Sequence, residues 1–252
     1  MTSVDDELFV LLYRDSGHMA VYSIGDYKLL LHFNVPGFTP NEHSDMTSCV
    51  RQKCLCISDN FNECIHRYDV ASRATSKWSV PGRPLGLSVT PSCNLLVACR
   101  CSDDDEPDKL VELNSDSGEC VREIALQLDI QRPHHSVQLT TGQLVICHGW
   151  LSGLHRVCVV GDDGNVTHSY GGERGSAAGQ LSYPYHLAVD EDSRFIFVAD
   201  SHNQRVVLLR PSLKFVRYLT DGSAHQQRLY FHQATRRLYV GQSDGDVNVI
   251  QL

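Results

Sequence analysis

The sequence predicts an all-β protein: a six-bladed β-propeller of four-stranded antiparallel blades, with the first and last blades incomplete. Three observations carry that expectation. Residues 184–219 hold four short apolar runs (187–189, 195–199, 206–209 and 215–219), separated by Asp, Ser, Asn, Gly or Pro. Runs rich in Val, Ile, Leu, Phe and Tyr between such turns read as an antiparallel meander. The pattern recurs along the chain at spacings on the order of 40–50 residues, the range of propeller blades. A landmark also precedes several sets: Pro84-Leu85-Gly86, Pro133-His134-His135 and Pro184-Tyr185-His186. A single four-stranded sheet leaves two apolar faces open, and radial packing of like sheets covers both while shortening the exposed edges.

In order, the sets fall near residues 1–36, 45–81, 84–127, 133–171, 184–220 and 227–252. The first has runs at 8–13, 18–24 and 29–35 and stops at Pro36-Gly37. The second has four runs from residue 46 to 81, and the third has runs at 85–89, 95–101, 109–113 and 120–126. The fourth has runs at 135–139, 143–148, 155–160 and 166–170, and the last has them at 228–232, 237–241 and 246–252. The first set therefore lacks an inner strand and the last an outer one. On this reading the chain is part of a longer protein, and its ring closes with exposed edges at both ends. A polar turn recurs after the second run: SDNFNE at 58–63, ADSHNQR at 199–205 and the shorter QSDGD at 242–246.

Of 252 residues, 42% are hydrophobic and 21% charged, which suits a globular domain. The net charge of −8 disfavours nonspecific binding to a phosphate backbone, so no DNA partner is expected. No 18-residue apolar run and no secretory leader are present, so a cytoplasmic chain without a membrane span is expected. The Asn165-Val166-Thr167 sequon would matter only in a secreted chain. Ten cysteines occur without a CxxC pair; Cys54/Cys56 and Cys99/Cys101 lie two apart in apolar runs. On a strand such pairs face one side, which reads as buried thiols ahead of disulfides or metal ligands.

Residues 171–209, GGERGSAAGQLSYPYHLAVDEDSRFIFVADSHNQRVVLL, resemble an NHL repeat. Gly179, Gln180, Pro184, His186, Ala188, Asp190, Ala199, Asp200, Asn203 and Arg205 carry the resemblance, and the second set keeps Asp59 and Asn62 of the turn. The whole chain is similar to the propellers at the carboxyl end of tripartite-motif proteins, though only one repeat matches in detail. The resemblance implies a recognition module of a ubiquitin ligase, with any ligase activity in domains beyond these residues. Some propellers of that family bind single-stranded RNA, which is the alternative partner; the acidic net charge weighs against it.

The site residues follow from placement on the propeller. Loops on a rigid body commonly carry function. The face made by blade-to-blade connections and second-to-third-strand turns would display Arg100, His148, Trp150, Arg174, Tyr183, Tyr185 and His202. Trp, Tyr and Arg dominate interface energetics, which points to a protein partner. Asp200, Asn203, Arg205, Asp59 and Asn62 read as turn-holding residues. The acidic stretch at 102–108 reads as a solvated loop, and Gly171 to Gly175 as a connection between blades. No GxSxG motif occurs, and no cofactor or catalytic residue is expected. A zinc-dependent reading, by resemblance to NHL-like amidating lyases, would use His135 and His186. The matching positions in other sets would be Gly86, Thr47 and Arg228, which supply no third histidine.

Overall fold

The computed structural model describes residues 1–4, 7–13, 16–101, 106–149, 153–220 and 224–252. Blade 1 is β1 (Thr2–Ser3), β2 (Leu8–Leu12), β3 (His18–Ser23) and β4 (Leu29–Asn34). Blade 2 is β5 (Met46–Cys49), β6 (Cys54–Asp59), β7 (Cys64–Asp69) and β8 (Thr75–Ser79). Blade 3 is β9 (Arg83–Val89), β10 (Leu95–Arg100), β11 (Lys109–Leu113) and β12 (Cys120–Ala125). Blade 4 is β13 (Pro133–Gln138), β14 (Leu144–His148), β15 (Leu154–Val160) and β16 (Val166–Glu173). Blade 5 is β17 (Pro184–Asp190), β18 (Phe195–Asp200), β19 (Arg205–Leu209) and β20 (Phe215–Tyr218), and blade 6 is β21 (Gln226–His232), β22 (Arg237–Gln242) and β23 (Val247–Gln251). Each blade pairs its strands antiparallel in chain order.

Blade 1 corrects the sequence reading. Thr2 and Ser3 pair with Val10 and Phe9, so this blade has its inner strand, while among the described residues blade 6 has three strands and no outer one. Two polar residues gave no apolar signal, but both are buried in the ring. The glycines after Tyr170 also differ from expectation, because β16 runs on through Gly171 and Gly172.

Burial explains the strand composition. The second strands CLCISD and LVICH are buried along their whole length, since each is covered by neighbouring blades on both faces. The fourth strands, such as TSKWS and CVREIA, bury one residue each and turn the rest outward. Side chains from adjacent blades merge into apolar clusters at the joints. Leu87, Val97 and Val111 meet Cys54, Cys56 and Trp78 between blades 2 and 3. Phe9 meets Tyr239 between blades 1 and 6, with the rings stacked at 4.5 Å. Eight cysteines are buried, as the CxC spacing anticipates, while Cys93 is half-buried and Cys120 exposed. Among the described residues, no helix is long and apolar enough to cross a membrane.

Candidate functional site

The inner strands β9, β13, β17 and β21 share an irregular start. In blades 4, 5 and 6 the pairing shifts by one residue between Pro133 and His135, Pro184 and His186, and Gln226 and Arg228. A bulge of this kind re-aims the side chain that follows it. Here His135, His186 and Arg228 converge on one carboxylate, Asp45, at the foot of β5. Arg228 Nε lies 3.0 Å from Asp45 Oδ1, and His186 Nε2 lies 3.4 Å from Oδ2. His135 Nε2 is 3.8 Å from the same oxygen, and the two imidazole rings stack at 3.7 Å. The Leu87 amide donates to Asp45 Oδ2 at 2.8 Å, and its carbonyl meets His135 Nε2 at 3.0 Å. The group thus draws on blades 2 to 6.

Gly86 makes the convergence sterically feasible. A Cβ there would sit 2.3 Å from the His134 carbonyl oxygen and 2.7 Å from the His135 Cα. Above the group, the Tyr185 ring stacks on the Arg228 guanidinium (4.8 Å) and lies beside the His134 ring (4.7 Å). Its hydroxyl donates to the Glu42 carbonyl at 2.9 Å, so Tyr185 spans the channel mouth from blade 5 to the lead into blade 2.

The electrostatics favour a fixed ion pair with neutral imidazoles. Burial is the largest single influence and resists ionisation of Asp45, but the Arg228 guanidinium, with His186 and His135 beside it, together outweighs burial and holds the carboxyl well below the usual carboxylate range. Burial, with the neighbouring His186, pushes His135 well below the ordinary histidine value, and burial lowers His186 against the pull of Asp45. Burial also takes His134 down to about 3. Asp45, His135 and His186 could together offer three ligand atoms to a metal. Yet the Arg228 cation is already on the carboxylate, and His135 Nε2 points its proton at the Leu87 carbonyl. Chemically the group behaves as a cross-channel latch.

A protein of unknown function from Bacteroides caccae matches with a TM-score of 0.72 at 14% identity, over 97% of this chain and 90% of the other. The hydrazine synthase of Kuenenia stuttgartiensis matches with a TM-score of 0.71 at 13% identity, over 100% and 94%. A streptogramin B lyase matches with a TM-score of 0.64 at 12% identity, over 100% and 81%. The chain is a six-bladed β-propeller. At these identities the likeness extends to the fold and no further. No family model and no curated protein matches the sequence.

The residues expected on the loop face do not all come together. Arg174, Tyr183 and His202 come together. Arg174 Cζ lies 5.0 Å over the Tyr183 ring, which stacks on His202 at 3.9 Å. Arg174 also donates to Ser182 Oγ at 3.0 Å, and His225 of blade 6 extends the row at 5.2 Å from His202. Tyr185 joins the channel mouth, and Arg100 stands at the end of β10 beside Arg83, Arg132 and His134 in a recess of about 160 Å³. His148 departs from expectation: it is fully buried, because it ends the all-buried strand β14. Its Nε2 accepts from Arg156 Nε at 2.9 Å, and burial and Arg156 lower its pKa to about 3. Trp150 and residues 102–105 lie outside the described residues.

The turn residues hold buried geometry. Asp200 accepts from Ser182 N, Asn203 Nδ2 at 2.8 Å and Arg205 Nε at 2.7 Å. Asp59 keeps the Asn62 bond at 2.9 Å but pairs across the strand with Cys64 where blade 5 has Arg205. Sequence reasoning missed Asp45 and placed Thr47 in its stead. Blade 2 has no proline before β5, so the landmark used elsewhere is missing. The usable signal was distance from the turn: Asp45 precedes Asp59 by as many residues as His186 precedes Asp200.

Proposed function

We propose that the chain is a non-enzymatic interaction module that binds a protein partner through the loop face around the channel mouth. The observation that carries this is the row Arg174, Tyr183, His202 and His225, which crosses blades 4, 5 and 6 with two exposed and two half-buried members. Interlocked rings and a guanidinium lose little conformational freedom on binding, which suits a hot spot. The nearby arginine-rich recess adds charge complementarity toward an acidic side chain of the partner. Trp150 belongs to the same proposed face by its place in the sequence. The NHL-like turn of blade 5 supports a kinship with tripartite-motif propellers, and with it a role in selecting ubiquitin-ligase substrates in the cytoplasm.

The test uses the double variant Arg174→Ala/His202→Ala. Capture from cell lysate, quantified against wild type, is expected to fall at least tenfold for the specific partner set, while the melting temperature stays within a few degrees. Undiminished capture by the folded variant overturns the site. Capture abolished by ribonuclease, with salt-sensitive binding of random single-stranded RNA, would replace the protein partner with RNA.

A further inference from the structure

Blade 2 carries a second constellation, which the loop-face function does not use. In blade 5 the buried carboxylate of Asp200 is neutralised by Arg205 at 2.7 Å. In blade 2 the equivalent carboxylate, Asp59, is also fully buried, but a thiol, Cys64, stands opposite it in the strand pairing. Two residues further on β7, on the same face, His66 brings Nε2 to 3.1 Å from Asp59 Oδ2 and 3.7 Å from Cys64 Sγ. We propose that Asp59, Cys64 and His66 bind a thiophilic divalent cation, zinc in the first instance.

Geometry is the first support. The three ligand atoms lie within 4.8 Å of one another. Zinc bonds of about 2.0–2.3 Å in a tetrahedron set neighbouring ligand atoms about 3.3–3.6 Å apart, close to the distances seen. A small inward adjustment of the thiol completes the match.

Hydrogen bonding is the second support. With a proton on Nε2, His66 donates to Asp59 and has no lone pair there for the Cys64 thiol. Without that proton, its lone pair faces a carboxylate oxygen at hydrogen-bond distance in a site from which water is excluded. One nitrogen cannot serve both neighbours with protons, and the ring's other nitrogen, Nδ1, is buried with no hydrogen-bond partner among the described residues. A cation accepts from all three at once. Its charge of two balances one carboxylate and one thiolate, leaving the buried site neutral, as the Asp200–Arg205 pair is in blade 5.

Binding is balanced by proton movement. The Cys64 thiol loses its proton to solvent, and the neutral imidazole transfers its one proton from Nε2 to Nδ1 by tautomerisation, freeing the Nε2 lone pair for the metal. Because ligation releases that thiol proton, affinity rises with pH. Three protein ligands leave one position, for which the Asn62 carboxamide, 2.9 Å from Asp59 Oδ2, is the adjacent polar group. The channel trio of Asp45, His135 and His186 is a poorer host because Arg228 already occupies its carboxylate. At Asp59, among the described residues, no Arg or Lys takes the carboxylate; the nearest cation, Lys77, lies against the Cys64 thiol and would have to turn away for the thiolate to bind the metal.

The test titrates the metal-stripped full chain with Co²⁺ and then displaces it with Zn²⁺. One equivalent of Co²⁺ is expected, with a thiolate-to-cobalt charge-transfer band and tetrahedral ligand-field absorption that zinc abolishes. Cys64→Ser and His66→Gln should each lose at least tenfold in affinity, with the band absent in the serine variant. Cys120→Ser, at the exposed cysteine, should behave as wild type. Wild-type protein that binds no stoichiometric Co²⁺, or binds it without the thiolate band, overturns the proposal regardless of how the variants fold. A band that persists in Cys64→Ser overturns it too.

Discussion

Arg228→Met removes the guanidinium from the channel latch while keeping an apolar stem beneath Tyr185. Asp45 is then left as a buried carboxylate with the Leu87 amide and a neutral His186 as its neighbours. At the observed 3.0 Å, Coulomb's law with an effective dielectric constant of about 20 gives an attraction of about 5 kcal/mol. Breaking one side of a buried pair typically costs about 3–5 kcal/mol, which agrees. At about 2–4 °C per kcal/mol for a chain of this size, the melting temperature should drop on the order of 10 °C. The pH dependence gives the argument its sharper edge. In wild type the folded-state pKa of Asp45 is depressed, so its stabilisation is full above the unfolded value and lost as pH falls through the folded one. In the variant, burial without the guanidinium raises that pKa, so Asp45 destabilises the fold at neutral pH and less so on acidification. The gap between wild type and variant, followed by circular dichroism melts, should therefore be widest near neutrality and narrow toward about pH 4. Adding Asp45→Asn to the variant should recover part of the loss. A gap below about 1 kcal/mol that does not change with pH would place this pair among those that contribute little, and refute the latch.

Two further outcomes follow from the same region. His134 and His148 both have folded pKa values lowered to about 3 by burial. The unfolded chain takes up their protons first, so stability is full above about pH 6.5 and lost as pH falls from there toward 3, at up to about 1.4 kcal/mol per histidine per pH unit. Melting temperatures across that range should decline steeply, and His148→Gln should flatten the decline; a profile unaffected by that change counts against the assignment. Gly86→Ala places a methyl against the His134 and His135 backbone. It should cost about 3 kcal/mol, read as a lower urea midpoint. An alanine variant as stable as wild type would mean that the strand moves aside freely.

The blades were legible because each is written in local chemistry. Apolar runs, turn residues and the Pro133 and Pro184 junctions place β13 and β17 without any knowledge of their neighbours. What stayed hidden depends on the ring. Thr2 and Ser3 form a strand because Phe9 and Val10 offer a ladder and the ring covers them, not because their side chains favour one. His148 looks like a loop residue by type, yet its place at the end of a strand buried on both faces removes it from the surface. Asp45 reads as an ordinary polar residue until four other blades bring their inner-strand ends to it. The Cys64–His66 pair shows the same limit: spacing put both side chains on one face, but only the β6–β7 register brought them to Asp59.

The latch and the loop face bear on each other. Contacts at a joint, such as Phe9 on Tyr239 between blades 1 and 6, resist movement at that joint alone. Asp45 bonds across the channel instead, to Arg228 in blade 6 and Leu87 in blade 3, so opening the ring at the joint between blades 6 and 1 must strain it. That joint is where reinforcement counts, since blade 6 is the blade with three strands. Tyr185 carries the constraint upward: its ring sits on Arg228 and its hydroxyl on Glu42, while two residues earlier Tyr183 anchors the Arg174–His202 row. A row of rings spanning blades 4, 5 and 6 presents one surface only while those blades keep their spacing. Loss of Arg228 should therefore weaken partner capture even though Arg228 lies beneath the proposed contact row, and restoring stability with Asp45→Asn should restore part of that capture. A variant that loses stability but captures fully would separate the two and make the latch a matter of folding alone.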